Sequence, residues 1–347
     1  MGDYENKKIK HKICLLLIWV LLCAVIWLII NRGNISRIIR NILPDALWGE
    51  KDDISEDTEH VLEGYQYFSD YINTDRTEYV DVEALSASVQ IVSRASLDLT
   101  YSYLTTNFYT IDGSTTITED ELDGSKLLAM DMSVDLDTTD YKVLIYHTHG
   151  SESYADSRNG VTEDTVIGVG DRLSELLEDE YGIAVYHDRT IYDVVDGSLD
   201  RSKAYDLARD GVQAILEAYP SIEVVIDLHR DGVNKNTSLV TEIDGKPMAR
   251  LMFLVGVSRL NSKGELEYLY NPVKKENIAF SLQLYMAAEE DYSGLMRKIY
   301  VKGYRYNLDL APRSLLVEVG GQTNTLEEAL NSMEPLAAIL YKVLSGT

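Results

Sequence analysis

With 347 residues, 57 acidic side chains against 32 basic ones and a formal net charge of -25, the chain can hold one large domain, or a medium one with accessory parts. The charge argues against a broad electrostatic footprint on nucleic acid. The only cysteines, Cys14 and Cys23, both fall in the first apolar run, so the rest of the chain has neither a disulfide framework nor a thiolate metal site.

Residues 1–12 are short, polar and basic, with Lys7, Lys8, Lys10 and Lys12. Residues 13–30 then run for 18 positions without a charge and include Trp19 and Trp27, a length that just spans a bilayer core as a helix. A cleaved signal peptide is the rival reading, but the run is longer than a usual signal core and no small-x-small cleavage site follows it. Arg32, Arg37 and Arg40 follow the span, so the basic bias is slight. The expectation is an anchor with the amino terminus inside and the large carboxyl-terminal part outside. Residues 31–64 read as a juxtamembrane stalk running into an acidic linker. Residues 65–140, rich in Tyr, Thr, Ser and Asp, read as an accessory region. Within it, residues 108–111 and 115–118 flank Asp112-Gly113-Ser114 as a hairpin, and residues 122–130 read as a short helix.

From residue 141 onward strand and helix alternate. Val143, Leu144 and Ile145 form an apolar strand, and the polarity then flips to His147, His149 and Glu152, with Gly150 between them. Helical spacing over 166–179 ends at Gly182; a strand over 183–186 leads into His187 and Asp188. A helix over 202–219 is closed by Pro220, and the strand over 224–228 runs straight into His229. A strand over 251–257, a helix over 277–288, a strand over 315–319 carrying Glu318 and a last helix over 326–344 complete the pattern. This alternation predicts an α/β fold, a mostly parallel or mixed sheet flanked by helices, over residues 141–347.

Of six histidines, four (His147, His149, His187 and His229) stand at or just past expected strand ends. Neutral imidazoles with carboxylates and no cysteine favour zinc, and a catalytic zinc needs three protein ligands and an open position for water. His149, His229 and one glutamate fit the ligand set, with Glu152 and Glu163 as rivals for the third place. Glu318, after Leu315-Leu316-Val317, fits the proton carrier. His147 follows its strand directly and is expected in the core or behind the ligands. His187 either orients substrate or caps a strand, and Arg230 either meets substrate or pairs with Asp227 or Asp231. Ser151 and Ser153 do not form a nucleophile elbow, and no phosphate-binding loop follows a strand.

The motifs from His147-Thr148-His149 to Tyr154, from Ile226 to Gly232, and from Leu316 to Gly321 with Asn324 together resemble the stage II sporulation protein P family. The resemblance covers roughly residues 107–340 plus the amino-terminal anchor. That family is in turn similar to the zinc-dependent N-acetylmuramoyl-L-alanine amidases. Their first zinc histidine falls on His149, their second on His229, their catalytic glutamate on Glu318 and a following asparagine on Asn324. For the third ligand, amidase spacing favours Glu163, whereas the sporulation family's own H-T-H-x-x-E pattern favours Glu152, the residue taken here. Arg230, His187 and Asn324 are then the expected substrate contacts. The resemblance implies an amidase-like fold and a membrane-anchored zinc hydrolase of peptidoglycan that acts during engulfment in sporulation. It would lie between forespore and mother cell, remove stem peptides from glycan, cleave some cross-links, and work with stage II sporulation proteins D and M.

Overall fold

The computed structural model describes residues 99–346; the expected anchor, the linker and the first part of the accessory region lie outside them. Among the described residues no helix is long and apolar enough to cross a membrane. In chain order they run through α1 (Tyr101–Asn107), β1 (Tyr109–Ile111), α2 (Gly124–Ala129), β2 (Val143–Tyr146), α3 (Val166–Asp179), β3 (Val185–His187), a hairpin β4–β5 (Val194–Val195, Ser198–Leu199) and α4 (Ala204–Ala218). There follow β6 (Val224–Asp231), a hairpin β7–β8 (Val240–Ile243, Lys246–Ala249), β9 (Leu251–Gly256), a hairpin β10–β11 (Arg259–Leu260, Gly264–Glu265), α5 (Lys274–Asp291), β12 (Ile299–Lys302), β13 (Arg313–Gly321), α6 (Leu326–Asn331) and α7 (Met333–Ser345).

Seven strands form one sheet in the order β1-β12-β9-β13-β6-β2-β3. Neighbours are parallel except β9 and β13, which run antiparallel. The sheet is therefore two parallel halves joined along one reversed seam. Side chains alternate between its faces with period two. Val143 and Ile145, Val224, Ile226 and Leu228, and Leu315 and Val317 share one core with the buried sides of α3, α5 and α7. Leu144, Tyr146 and Val225 pack on the other face with Ala208 and Val212 of α4. There, Leu316 meets Leu254 of β9 and Leu308 of the loop before β13.

The expected α/β class and mostly parallel sheet hold, with four departures. β12 was not foreseen. Thr115 and its neighbours do not pair back on β1; β1 instead lies parallel to β12 at the sheet edge, with Tyr109 opposite Ile299. The Asp112 side chain accepts from Ser114 N and Oγ at 2.9 and 2.6 Å, which turns the chain, and Thr115 Oγ1 then bonds to Arg259 O at 2.6 Å. The end of the region read as accessory also belongs to the main sheet, to which it supplies the edge strand β1. Finally, the last helix is broken at Ser332 into α6 and α7. Pro335 lacks the N–H that would bond back to Asn331 and its ring crowds that carbonyl. Ser332 Oγ instead donates to Ala249 O at 2.7 Å.

Helix α3 begins at Thr165, whose hydroxyl accepts from Ile167 N at 3.2 Å. It presses on β2 and β3 so closely that a Cβ added at Gly170 would lie 2.7 Å from His187 Nε2 and 2.8 Å from His147 Nε2. Both rings are held by hydrogen bonds, so neither yields freely. Gly170→Ala would gain about 1 kcal/mol of helix propensity and lose about 1–3 kcal/mol to overpacking. The expected outcome is a net drop of the thermal unfolding midpoint; a rise would mean the two rings move aside at little cost.

Candidate metal centre

The alternation of the strands sorts the candidate residues. His147 continues the Val143–Ile145 side and points toward α3. Asp227 and His229 continue the Val225 side, and Glu318 continues the Leu316 side, so these three share the α4 face. β2, β6 and β13 are parallel, and Glu318 stands in register beside His229. A turn after β2, in which Glu152 N bonds to His149 O at 3.0 Å, brings His149 and Glu152 to the same edge.

There His149, Glu152 and His229 converge, each offering an atom within 4.8 Å of the others. His149 Nδ1 lies 3.5 Å from Glu152 Oε1, and His229 Nδ1 lies 3.4 Å from Glu152 Oε2. The imidazoles meet edge to face with centroids 5.0 Å apart. Behind His229, Nε2 sits 2.8 Å from Asp227 Oδ1, close but off the line of a hydrogen bond. Asp227 is 1 % exposed and accepts from Thr148 N and Oγ1 at 2.8 and 2.7 Å. A buried carboxylate behind an imidazole fixes the ring and raises the basicity of the nitrogen in front. Glu152 also accepts from Arg230 N at 3.1 Å, and Arg201 Nη2 reaches its Oε1 at 3.4 Å.

The electrostatics fit a cation at this point. Burial draws the His229 pKa down, but Asp227 and Glu152 outweigh it and hold the pKa well above the ordinary value. Burial opposes ionisation of Glu152, yet the bonds from His149 and His229 hold its carboxyl well below the usual range. The cluster thus draws positive charge to the space between the three groups, and two imidazoles with one carboxylate are a donor set suited to a divalent transition metal. Glu318 differs. Its Oε2 is shut off from solvent without a hydrogen-bond partner, and burial pushes its pKa up to about 7. A carboxyl poised there can take a proton and return it near neutral pH.

The other sequence candidates fall elsewhere. Glu163 is exposed, with Arg189 as its partner at 3.5 Å, and does not join the cluster. Arg230 lies along it, its Nε donating to Ser153 O at 3.0 Å. His187 is set apart on the other face: it bonds through Nε2 to His147 Nε2 at 2.8 Å and through Nδ1 to Asp171 at 3.0 Å. His147 Nδ1 donates to Leu228 O at 2.9 Å, and burial keeps the ring neutral by pushing its pKa down to about 3. Counting protons along this chain, all three bonds are satisfied together only when His187 is protonated on both nitrogens, which its burial opposes and Asp171 favours. Asn324 is fully buried and its amide is committed: Oδ1 accepts from Gly321 N at 2.9 Å, and Nδ2 donates to Leu239 O and Glu328 Oε2 at 3.1 and 2.9 Å. It closes the bulge after Glu318, where Gly320 adopts φ 60° and a Cβ would strike the Asn324 amide. Neither His187 nor Asn324 therefore lines the cluster for substrate.

Asp227, Thr148 and Asp193 were not singled out as functional. Asp227 was legible in principle, since a carboxylate two residues before a strand-end histidine shares its face. Asp193 was not: it comes from the loop after β3 and, at 0 % exposure, accepts from Ser151 N and Oγ at 3.1 and 2.5 Å.

Comparison with known proteins follows the same residues. Stage II sporulation protein P of Bacillus subtilis (strain 168) is 32% identical over 221 residues, 59% of this chain and 52% of that protein, so the match spans about half the relative's length. Among solved structures, the N-acetylmuramoyl-L-alanine amidase AmiC2 of Nostoc punctiforme is 16% identical over 59% of this chain and 94% of its own, with a TM-score of 0.36. The CwlD amidase from Clostridioides difficile, in complex with the GerS lipoprotein, is 13% identical over 57% of this chain and 98% of its own, with a TM-score of 0.37. Likenesses this distant leave the reaction to be argued from the site itself. The family model described as Stage II sporulation protein P matches residues 70–341, most of the chain, and the chain belongs to that family.

Proposed function

We propose that the domain is a zinc-dependent N-acetylmuramoyl-L-alanine amidase that removes stem peptides from peptidoglycan during sporulation. The observation that carries this is the pairing of a His149–Glu152–His229 donor set with an unpartnered carboxyl, Glu318, in register beside His229. His149, His229 and Glu152 hold the metal, which when bound supplies a Lewis acid and an acidified water. Asp227, anchored by Thr148, fixes the His229 ring. Arg230 keeps Glu152 in place through its backbone N–H. Glu318 receives the proton of the attacking water and hands it to the departing nitrogen, and its shelter from solvent supports both steps.

On this reading residues 13–30 tether the enzyme to the cell membrane with the domain outside, in the space between forespore and mother cell. Stage II sporulation proteins D and M are its partners there. The competing reading, cleavage of peptide cross-links on the same metal set, differs in its products. Amidase action leaves a free L-alanine amine and an unsubstituted lactyl group, which mass spectrometry of digested walls distinguishes from a new peptide carboxylate.

His149→Ala and His229→Ala are expected to lose both bound zinc and release of peptide from purified walls, whereas Glu318→Gln keeps zinc and loses turnover by roughly two to four orders of magnitude. Wall digestion at the parent rate by all three variants would end the assignment. A second outcome concerns stability without metal. The folded-state pKa of Glu318 lies above its ordinary 4.5, so the folded form binds more protons and stability falls as pH rises from there through about 7. Metal-free Glu318→Gln should match the parent near pH 4 and exceed it at pH 8, by up to roughly 3 kcal/mol. Denaturant titration at the two pH values measures this directly; equal stability at both would remove burial as the reason for the raised pKa.

A further inference from the structure

Amide hydrolysis puts negative charge on the carbonyl oxygen, and an enzyme lowers that barrier by aiming a fixed donor at it. Most N–H groups around the cluster are already committed: Thr148 N to Asp227, Ser151 N to Asp193, Glu152 N to His149 O and Arg230 N to Glu152. A neutral side-chain donor beside His149 is also uncommitted. Tyr205, in the first turn of α4, sets its ring edge to face on His149 with centroids 5.6 Å apart at 78°. Its hydroxyl makes no hydrogen bond among the described residues, and it lies within electrostatic reach of Glu152, Asp227 and Glu318.

The fold commits resources to this placement. Tyr306 backs the Tyr205 ring at 5.6 Å, and Asn307 Nδ2 donates to Tyr205 O at 2.8 Å. Tyr306 and Asn307 are consecutive non-glycine residues in the left-handed region, with φ 54° and 57°, a conformation that persists only when its surroundings impose it. Here Arg209 imposes it from α4, gripping Asp309 with two bonds of 2.8 Å, and Arg305 adds a contact to the same carboxylate at 3.0 Å. The ring is thus held against His149, and its hydroxyl, which no protein group takes, is open to solvent and so to a substrate at the cluster.

We propose that Tyr205 is a catalytic residue whose hydroxyl donates a hydrogen bond to the scissile carbonyl oxygen as it becomes an oxyanion. The inference rests on the amide-hydrolase reading above. The water oxygen forms the bond to the carbonyl carbon, the C=O π pair moves onto the oxygen that Tyr205 holds, and Glu318 takes the water proton. The oxyanion then re-forms C=O, the C–N bond breaks with its pair leaving on nitrogen, and nitrogen receives the proton from Glu318. Tyr205 keeps its own proton throughout.

The test is Tyr205→Phe in the zinc-loaded full chain, which keeps the ring and removes the oxygen. Zinc content and unfolding midpoint should be unchanged. The rate of peptide release should fall by about 10²-fold in kcat with a much smaller change in KM. A muramyl-peptide analogue with a tetrahedral phosphinate in place of the scissile carbonyl should bind at least tenfold more weakly in calorimetry, while the product stem peptide binds as before. Parent-like kcat and parent-like phosphinate affinity in Tyr205→Phe would overturn the role of the hydroxyl while leaving the amidase reading intact. If the parent itself releases no peptide and does not bind the phosphinate, the amidase reading fails, and this proposal fails with it.

Discussion

The site depends on a charge pair buried inside the sheet. Asp227 and His229 sit two residues apart on β6, both nearly sealed from water, with 2.8 Å between them. An isolated ionised carboxylate at that depth would cost several kcal/mol, so each group is tolerable only because the other is there and because Thr148 satisfies both oxygens of Asp227. Thr148 stands between His147 and His149, so the clamp that steadies one histidine of the cluster also fixes the stretch carrying the other. The imidazole of His229 is thereby locked with its free nitrogen toward Glu152.

The same three-residue motif serves two layers at once. His149 turns into the cluster on the α4 face, while His147 continues β2 toward α3 and ties itself to the Leu228 carbonyl, His187 and Asp171. Because Leu228 lies between Asp227 and His229, the strand end that presents the His149–Glu152–His229 cluster is held from both faces of the sheet. Three residues just past β2 and three of β6 put the cluster's side chains on one side of the sheet and a polar brace on the other.

Much of this was legible before any coordinates, and for identifiable reasons. The helix over 166–179 and the strands at 143, 224 and 315 carry their periodicity in local side chains, and the structure returns them within three residues of the expected limits. The cluster residues stood out because polar groups at the ends of apolar runs are rare without a task. What was missed depends on long-range contacts. The edge strand β1 owes its pairing to β12, nearly 190 positions later, and nothing in its own three residues distinguishes a hairpin arm from an edge strand. Asn324 looked like a substrate contact because of its motif; only the bulge at Gly320 explains why an amide is needed there, and it faces inward. Tyr205, by contrast, sits in an ordinary helical stretch, and its neighbour His149 comes from 56 positions upstream.

Among the described residues, both rims of the sheet end in strands of only three residues, β1 and β3. Rims so short offer little open backbone ladder for a second molecule to pair with, and the formal charge of -25 adds mutual repulsion between copies. The domain is thereby suited to crowding at high local density without zipping edge to edge into fibrils or aggregates.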